Sequence, residues 1–240
     1  MLTLIIPTYR ERDNIAPLLA RLEAVRGRIG EPLEVLMVDN YSEDGTAARA
    51  RAVLHAYRLG RVIQPLQRCG LAEAVSHGIQ EAAGELLGVM DADLSHPPEL
   101  LPALVEAVRA GHELAIASRY VRGGGVERWP LERRLLSRLG NLAAWPLTSV
   151  HDATSGYFLG EAPVLKSVPI QATGFKVLLE LLVNGRLTRV IEVPYVFRDR
   201  QHGSSKLDGR VLGQFAGQLG RLAFSRCVPA PSRGVERVVR

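Results

Sequence analysis

Sulfur chemistry is nearly absent from this chain. Its two cysteines, Cys69 and Cys227, stand far apart with no metal-ligand spacing. That excludes a disulfide framework and a cysteine-bound zinc, and it fits two structural thiols in a reducing compartment. Aromatic residues make up only 5% of the sequence, too few for the stacking platforms of single-stranded nucleic-acid binders, so nucleic acid ranks last among partners. No basic segment followed by an apolar one opens the chain, and no apolar run approaches the ~18 residues that cross a bilayer. The expectation is a soluble or peripheral protein. Lysine is scarce too: Lys166, Lys176 and Lys206 stand among 30 basic residues.

Arginine therefore carries most of the positive charge, and the net charge is +5. Guanidinium groups suit bidentate recognition of phosphate, so phosphate-bearing or anionic-surface partners are favoured. With 240 residues, 47% hydrophobic and 23% charged, the chain can bury the core of one α/β domain.

Strand-like and helix-like patterns alternate. Short apolar runs at Leu2 to Pro7, Leu33 to Val38, Val62 to Pro65, Leu86 to Met90 and Leu114 to Ser118 predict strands. Helical spacing predicts helices over Asn14 to Val25, from Thr46, over Leu71 to Ala83 and over Pro98 to Ala110, with polar turns between. Four βα units imply a parallel sheet covered by helices on both faces. Ligands of such sheets bind beyond the carboxyl ends of the strands. Pro7 to Glu11, Asp39, the pair Asp91 and Asp93, and Ser118 with Arg119 all follow strands, so all are expected at one crevice.

The pair in GELLGVMDADLSHPP, Gly84 to Pro98, is the most informative element. Carboxylates spaced i, i+2 at a strand end point the same way. Alone, such a pair is most often a solvated turn. At a ligand edge it suits a hard divalent ion, which takes one or two carboxylates and completes its shell with waters and substrate phosphates.

PTYRE at Pro7 to Glu11, VDN and SEDGT at Val38 to Thr46, GLAEAV at Gly70 to Val75, MDADLSHPP at Met90 to Pro98, SRY with GGG at Ser118 to Gly125, SGYF at Ser155 to Phe158 and GSSKL at Gly203 to Leu207 occur in register. This series resembles the inverting family 2 glycosyltransferases, and among them the polyprenyl-phosphate (dolichyl-phosphate) mannose synthases, over residues 1 to about 210. The resemblance implies a GT-A (Rossmann-like) α/β fold with a mostly parallel central sheet and helices on both faces. It further implies transfer of a hexose, mannose from GDP-mannose in the first instance, to a polyprenyl phosphate at the cytoplasmic face of the membrane, with Mg2+ or Mn2+ as cofactor. Carried over by position, Pro7, Tyr9, Glu11 and Asp39 bind the nucleotide, Asp39 accepting from the base. Asp91 and Asp93 bind metal and donor phosphates, with Ser95 as a further ligand where many relatives have Gln. Arg119, Arg133, Ser137 and Arg200 bind the acceptor or donor phosphates, and Lys206 lies in a loop that closes over the site. Asp91, Asp93, Arg119 and Arg200 form the expected catalytic set.

The sequence departs from the pattern at Arg10, Asn40, Tyr41 and Glu73, where relatives read PTYNE, VDDGS and GLGTAY. Asn40 removes a charge near the base or ribose, and Tyr41 would obstruct a backbone needing positive φ. An alcohol acceptor would need a carboxylate base, for which Asp152 is the candidate; a phosphate acceptor needs none. A third reading, a nucleotide- or lipid-binding homologue without transfer, rests on the departures and is opposed by the intact Asp91 and Asp93. The chain divides into a catalytic domain over 1–210, an amphipathic helix over 211–227 and a basic tail over 228–240. Leu131, Leu135, Leu139 and Leu142 form one apolar stripe beside arginines, and Val211, Phe215, Leu219 and Leu222 form another. Both are candidates for a membrane interface.

Overall fold

The computed structural model describes residues 1–127, 129–170, 176–185, 187–198 and 209–226. Arg200, Lys206, Cys227 and the basic tail lie outside them. The first half alternates strand and helix as the patterns require: β1 (Leu2–Thr8), α1 (Arg12–Arg26), β2 (Leu33–Asp39), α2 (Thr46–Tyr57), β3 (Gly60–Ile63), α3 (Leu71–Glu81), β4 (Leu86–Val89), α4 (Leu101–Arg109) and β5 (Leu114–Ser118). A 3-10 turn over Pro98–Leu100 leads into α4. The strand expected at Val62 to Pro65 starts earlier and stops before Pro65, pairing Gly60 to Ile63 with Val35 to Val38; proline has no N–H for a ladder. Beyond β5 come β6 (Gly125–Val126), α5 (Leu131–Ala144), β7 (Phe158–Glu161), α6 (Ala162–Ser167), α7 (Val177–Asn184), β8 (Val190–Pro194), β9 (Val196–Phe197) and α8 (Gly209–Arg226).

Seven strands form one sheet in the order β3-β2-β1-β4-β7-β5-β8, and β6 and β9 form a small second ladder. The sheet is mostly parallel, as expected, with one exception. β4 and β5 are not neighbours, because β7 lies between them and runs antiparallel to both. FLGE at β7 is too short to show a period, so only its pairing identifies it as a strand.

Alternation along the strands builds two cores. Leu2, Leu4 and Ile6 of β1, with Val35 and Met37 of β2, pack beside Ile15, Leu18, Leu19 and Leu22 of α1 and Leu101, Leu104 and Val105 of α4. Ile5, Leu36 and Val38 face the other way, onto Val75 and Ile79 of α3 and Leu178 and Leu181 of α7. The short sheet-facing side of α3 depends on Gly78, where a Cβ would lie 2.5 Å from Cγ2 of Ile5 and 3.0 Å from Cγ2 of Val38.

The two apolar stripes have different fates. Phe215, Leu219 and Leu222 of α8 pack with Ala144, Leu147, Ala153 and Leu179, and Gln218 Nε2 donates to Glu180 Oε1 at 2.9 Å, so this part of the α8 stripe faces protein. The α5 stripe faces out: Leu131, Leu135, Leu139 and Leu142 are 80%, 59%, 50% and 65% exposed, while its buried residues are Asn141 and Ala144. No helix among the described residues is long and apolar enough to cross a membrane.

Gly78→Ala is expected to lower stability by about 1–3 kcal/mol through overpacking against Ile5 and Val38. Urea unfolding monitored by circular dichroism measures it, and an unchanged midpoint would show that the helix lifts at no cost.

Candidate active site

Parallel strands bring their carboxyl ends to one edge. Register sets Thr8 beside Asp39 and Ser118 beside Pro194, and the Met90 N–H donates to Ile5 O at 3.1 Å. Because β7 is antiparallel, it begins at that same edge, with Phe158 opposite both Val89 and Ile116. The segment Ser155 to Tyr157 is thereby set against Asp91. This reversal puts the SGYF motif in the site, and no strand-end rule read from the sequence could supply it.

At the end of β2, Asp39 is fully buried. Its Oδ2 accepts from the Ser42 N–H at 3.1 Å and from Gln64 Nε2 at 3.2 Å, and its Oδ1 accepts from the Thr8 hydroxyl at 3.3 Å. The guanidiniums of Arg68 and Arg10 lie 4.8 and 5.2 Å from the Tyr9 ring centre, cation–π distances, and Arg68 also donates to the Tyr9 hydroxyl. Glu11 Oε2 accepts from Asn14 Nδ2 at 2.6 Å. Pro7 is buried at the end of β1. Asp44 accepts from the N–H and hydroxyl of Thr46 at the start of α2.

The sequence departures have structural uses. Asn40 makes a reciprocal pair with the backbone of Cys69, donating to its O at 2.6 Å and accepting from its N–H at 2.9 Å. That pair ties the β2 loop to the segment before α3. Tyr41 takes the positive φ that its bulk was expected to forbid, with φ at 54°, and its hydroxyl donates to Pro65 O at 2.7 Å. A left-handed side-chain residue costs about 1–2 kcal/mol, offset here by that anchor. Arg10 is also left-handed, at φ 58°, with its N–H on Ser42 Oγ at 2.9 Å. Glu73 accepts from the Gly70 N–H at 2.8 Å and so caps α3, a frequent use of Glu at the third helical position.

Asp93 is 3% exposed, and its Oδ1 accepts from the Ser95 N–H at 3.1 Å and the Ser95 hydroxyl at 2.5 Å. Leu94 between them has φ at 64°, so the loop holds its carboxylate in a strained turn. The Asp91 side chain is 36% exposed and rests on Gly156, where a Cβ would meet Asp91 Oδ2 at 2.9 Å. Only glycine leaves that carboxylate its place. The Asp91 N–H donates to His96 Nδ1 at 3.2 Å. Burial lowers the His96 pKa against the pull of Asp91 and Asp93, so the ring is neutral with its proton on Nε2. No cluster of three or more His, Cys, Asp or Glu side chains suited to a metal occurs among the described residues.

Where β5 ends, Arg119 and Asp152 form a buried two-point ion pair. Nε and Nη2 of Arg119 donate to Oδ2 and Oδ1 of Asp152 at 2.7 and 2.6 Å, the Arg119 N–H adds a 3.0 Å bond, and Nη2 reaches Thr154 Oγ1 at 3.1 Å. The two side chains are 8% and 0% exposed. Burial alone would raise the Asp152 pKa, but the Arg119 guanidinium outweighs it and holds the carboxyl below the usual aspartate value. A carboxylate so held is a poor proton acceptor, so Asp152, the candidate base for an alcohol acceptor, is unsuited to that task. Glu192, a lone carboxylate in the apolar strand β8, accepts from Ser118 Oγ, the Asp152 N–H, the His151 N–H and His151 Nδ1 at 2.7 to 3.0 Å.

Arg133 joins this group, its guanidinium 4.2 Å from the Trp129 ring centre, with that of Arg119 at 5.6 Å. Ser137 Oγ accepts from the Tyr120 hydroxyl at 2.7 Å. The structure therefore brings together Asp39 with Thr8 at the ends of β1 and β2, Asp91 with His96 and Gly156 beyond β4, and Arg119 with Arg133 on Trp129. Sequence reasoning missed His96, Gly156, Glu192 and Lys176. Lys176, one of only three lysines, donates from Nζ to Thr154 O at 3.3 Å, and burial lowers its pKa. Its rarity and the charge inside VIEVP were the available signals.

Residues 3–168 match the family described as Glycosyl transferase family 2. The chain belongs to that family. It is a glycosyltransferase, and its fold is GT-A. It is 39% identical over 224 residues to a dolichol-phosphate mannosyltransferase of Pyrococcus furiosus, covering 92% of this chain and 63% of that protein. To the protein of that name from Saccharomyces cerevisiae it is 37% identical, covering 92% and 86%. To a polyprenol monophosphomannose synthase of Mycolicibacterium smegmatis it is 36% identical, covering 85% and 80%. A crystal structure of glucosyl-3-phosphoglycerate synthase from Mycobacterium tuberculosis with Mn2+, UDP-glucose and glycerol 3-phosphate superposes with a TM-score of 0.62 at 21% identity, over 97% of this chain and 82% of that one. Mannosyl-3-phosphoglycerate synthase from Rubrobacter xylanophilus superposes at 0.64 and 19%, over 98% and 78%. At these identities the two superpositions establish the fold alone.

Asp152→Asn is expected to cost about 3–5 kcal/mol by leaving the Arg119 charge buried without its partner. Chemical denaturation measures it; a loss below ~1 kcal/mol would mean that the pair is solvated in solution.

Proposed function

We propose that the chain transfers mannose from GDP-mannose, with inversion, to the phosphate of a polyprenyl or dolichyl carrier at the cytoplasmic face of a membrane. The observation that carries this reading is Asp152. The carboxylate an alcohol acceptor would use as its base is neutralised in a buried ion pair, whereas a phosphate, with its second pKa near 6, is already largely dianionic at pH 7 and needs no base. Holding that anion in line with the anomeric carbon is then the main task of the protein. The names of the relatives support the same donor sugar and acceptor class.

The donor side fits a divalent ion. Asp93, fixed by Ser95, and the half-open Asp91 offer two hard oxygen ligands, a set that suits Mg2+ or Mn2+ completed by diphosphate oxygens and water rather than a closed cage. The Ser95 hydroxyl proton is used on Asp93, so we assign Ser95 to positioning that ligand. An ion bound there supplies Lewis-acid stabilisation of the leaving diphosphate. Asp39 accepts from the base, Tyr9 and Glu11 line the nucleotide side, and Arg119, Arg133 and Ser137 face the acceptor phosphate. Arg200 and Lys206 keep the roles that the resemblance gives them.

The leucines of α5 fit the membrane surface. Four exposed leucines beside Arg134 and Arg138 form an apolar stripe with a basic flank, the composition of a helix lying in an interface. Each leucine buried there contributes about 1–2 kcal/mol.

Two experiments test the reading. Incubated with citronellyl phosphate and a panel of nucleotide sugars, the protein is expected to form lipid-linked mannose from GDP-mannose with Mg2+ or Mn2+. Chelation abolishes the product, and Asp91→Ala or Asp93→Ala slows it at least about 100-fold. Product that survives chelation, or an active Asp91→Ala, would rule the donor assignment out. Separately, Leu135→Glu with Leu142→Glu should abolish co-sedimentation with anionic-lipid vesicles while transfer to soluble citronellyl phosphate continues. Retained vesicle binding would remove α5 from the interface.

A further inference from the structure

Trp129 is 8% exposed, yet its indole Nε1–H has no hydrogen-bond acceptor among the described residues. Buried donors without partners are rare in native proteins and destabilise them, so each one asks for a reason. Packing is not a sufficient reason here. The ring meets Phe197 edge-on, with centroids 5.0 Å apart, and phenylalanine could fill such a place without bringing an N–H into the interior.

The surroundings indicate what would satisfy the group. The guanidiniums of Arg133 and Arg119 lie 4.2 and 5.6 Å from the ring centre. Phe197 continues the stack to His96, with centroids 5.8 Å apart, and His96 Nδ1 accepts from the Asp91 N–H. Trp129 is thus joined on one side to two arginines and, through one aromatic layer, to the carboxylate loop of the donor site. An anion is the acceptor such a place invites. The charge of Arg119 is balanced by Asp152, and the guanidinium of Arg133 lies over the Trp129 ring.

We infer that the Nε1–H of Trp129 donates to the phosphate of the polyprenyl phosphate acceptor, making Trp129 an acceptor-binding residue. The inference rests on the phosphate acceptor proposed above. A neutral donor suits the change of charge on transfer, since the acceptor enters as a dianion and leaves as a singly charged diester. It directs the phosphate without adding a charge that would hold the product.

Two measurements test it on the full chain. With GDP-mannose and citronellyl phosphate, Trp129→Phe keeps an aromatic ring and removes only the N–H donor. It is expected to raise the KM for citronellyl phosphate about tenfold or more, the size of a lost hydrogen bond to a charged group, with the KM for GDP-mannose unchanged. In the 15N-labelled wild type, the Trp129 indole signal should move downfield with citronellyl phosphate, and not with citronellol or with GDP alone. The chain has two tryptophans, so Trp145→Phe assigns the signal, and this arm holds even where Trp129→Phe fails to fold. Transfer by the wild type with an unmoved indole, or with an unchanged acceptor KM in a folded Trp129→Phe, overturns the inference alone. Absence of transfer by the wild type with every donor, together with an unmoved indole, overturns the parent reading and the inference with it.

Discussion

A guanidinium and a carboxylate, both nearly out of water, meet in two parallel hydrogen bonds where β5 leaves the sheet. Removing either charge from water costs several kcal/mol, and the arrangement is tolerable only because each ion completes the other and the remaining donors and acceptors are filled. Arg119 and Asp152 meet this condition with Thr154 and the backbone of Arg119, while Glu192 holds the neighbouring Ser118 hydroxyl and the His151 and Asp152 N–H groups. The pair joins the end of β5, the segment that enters β7 and strand β8. Trp129 and Arg133 are arranged around that junction.

From this pair the chemistry of the two halves of the site diverges. One half holds negative charge in strained or crowded places: Asp93 in a turn with left-handed Leu94, and Asp91 against the bare Cα of Gly156. The other half lays positive charge on aromatic faces, Arg133 and Arg119 on Trp129 and Phe197. His96 stands between them, kept neutral by burial and packed on Tyr157, Tyr195 and Phe197. Outside this centre, α5 inverts the usual rule by burying Asn141 and exposing leucines. The physical cost of that inversion in water is the ground for the membrane contact proposed above.

Much of this was legible in the sequence, unevenly. The strands at Leu2, Leu33, Leu86 and Leu114 and the helix from Asn14 were readable because apolar runs ended by polar turns alternate there with helical periods. The rule that ligands meet parallel strands at their carboxyl ends set Asp39, Asp91 and Arg119 at one edge, where the structure has them. β7 was not readable, since FLGE carries no period and its direction is set by filling the gap between β4 and β5. Asn40, Tyr41 and Glu73 looked like losses from a nucleotide site. They are uses of side chains on nearby backbone, which a pattern of residue types does not record. The helical stripes of α5 and α8 were equivalent on paper, and neighbours separated them: Phe215, Leu219 and Leu222 found α7 and the end of α5, while the α5 leucines found water.

By itself the sequence determined the alternating α/β order, the edge at which the site lies and the residue types available there. Those follow from local periodicity and from strand ends that parallel pairing must align. Only the tertiary structure decided which charges are usable. Burial beside Arg119 took Asp152 out of acid–base chemistry, the reversal of β7 delivered Gly156 to Asp91, and the stacking of two arginines enclosed the Trp129 indole. Each of these is a contact between residues distant in the chain, made by packing that no local pattern encodes.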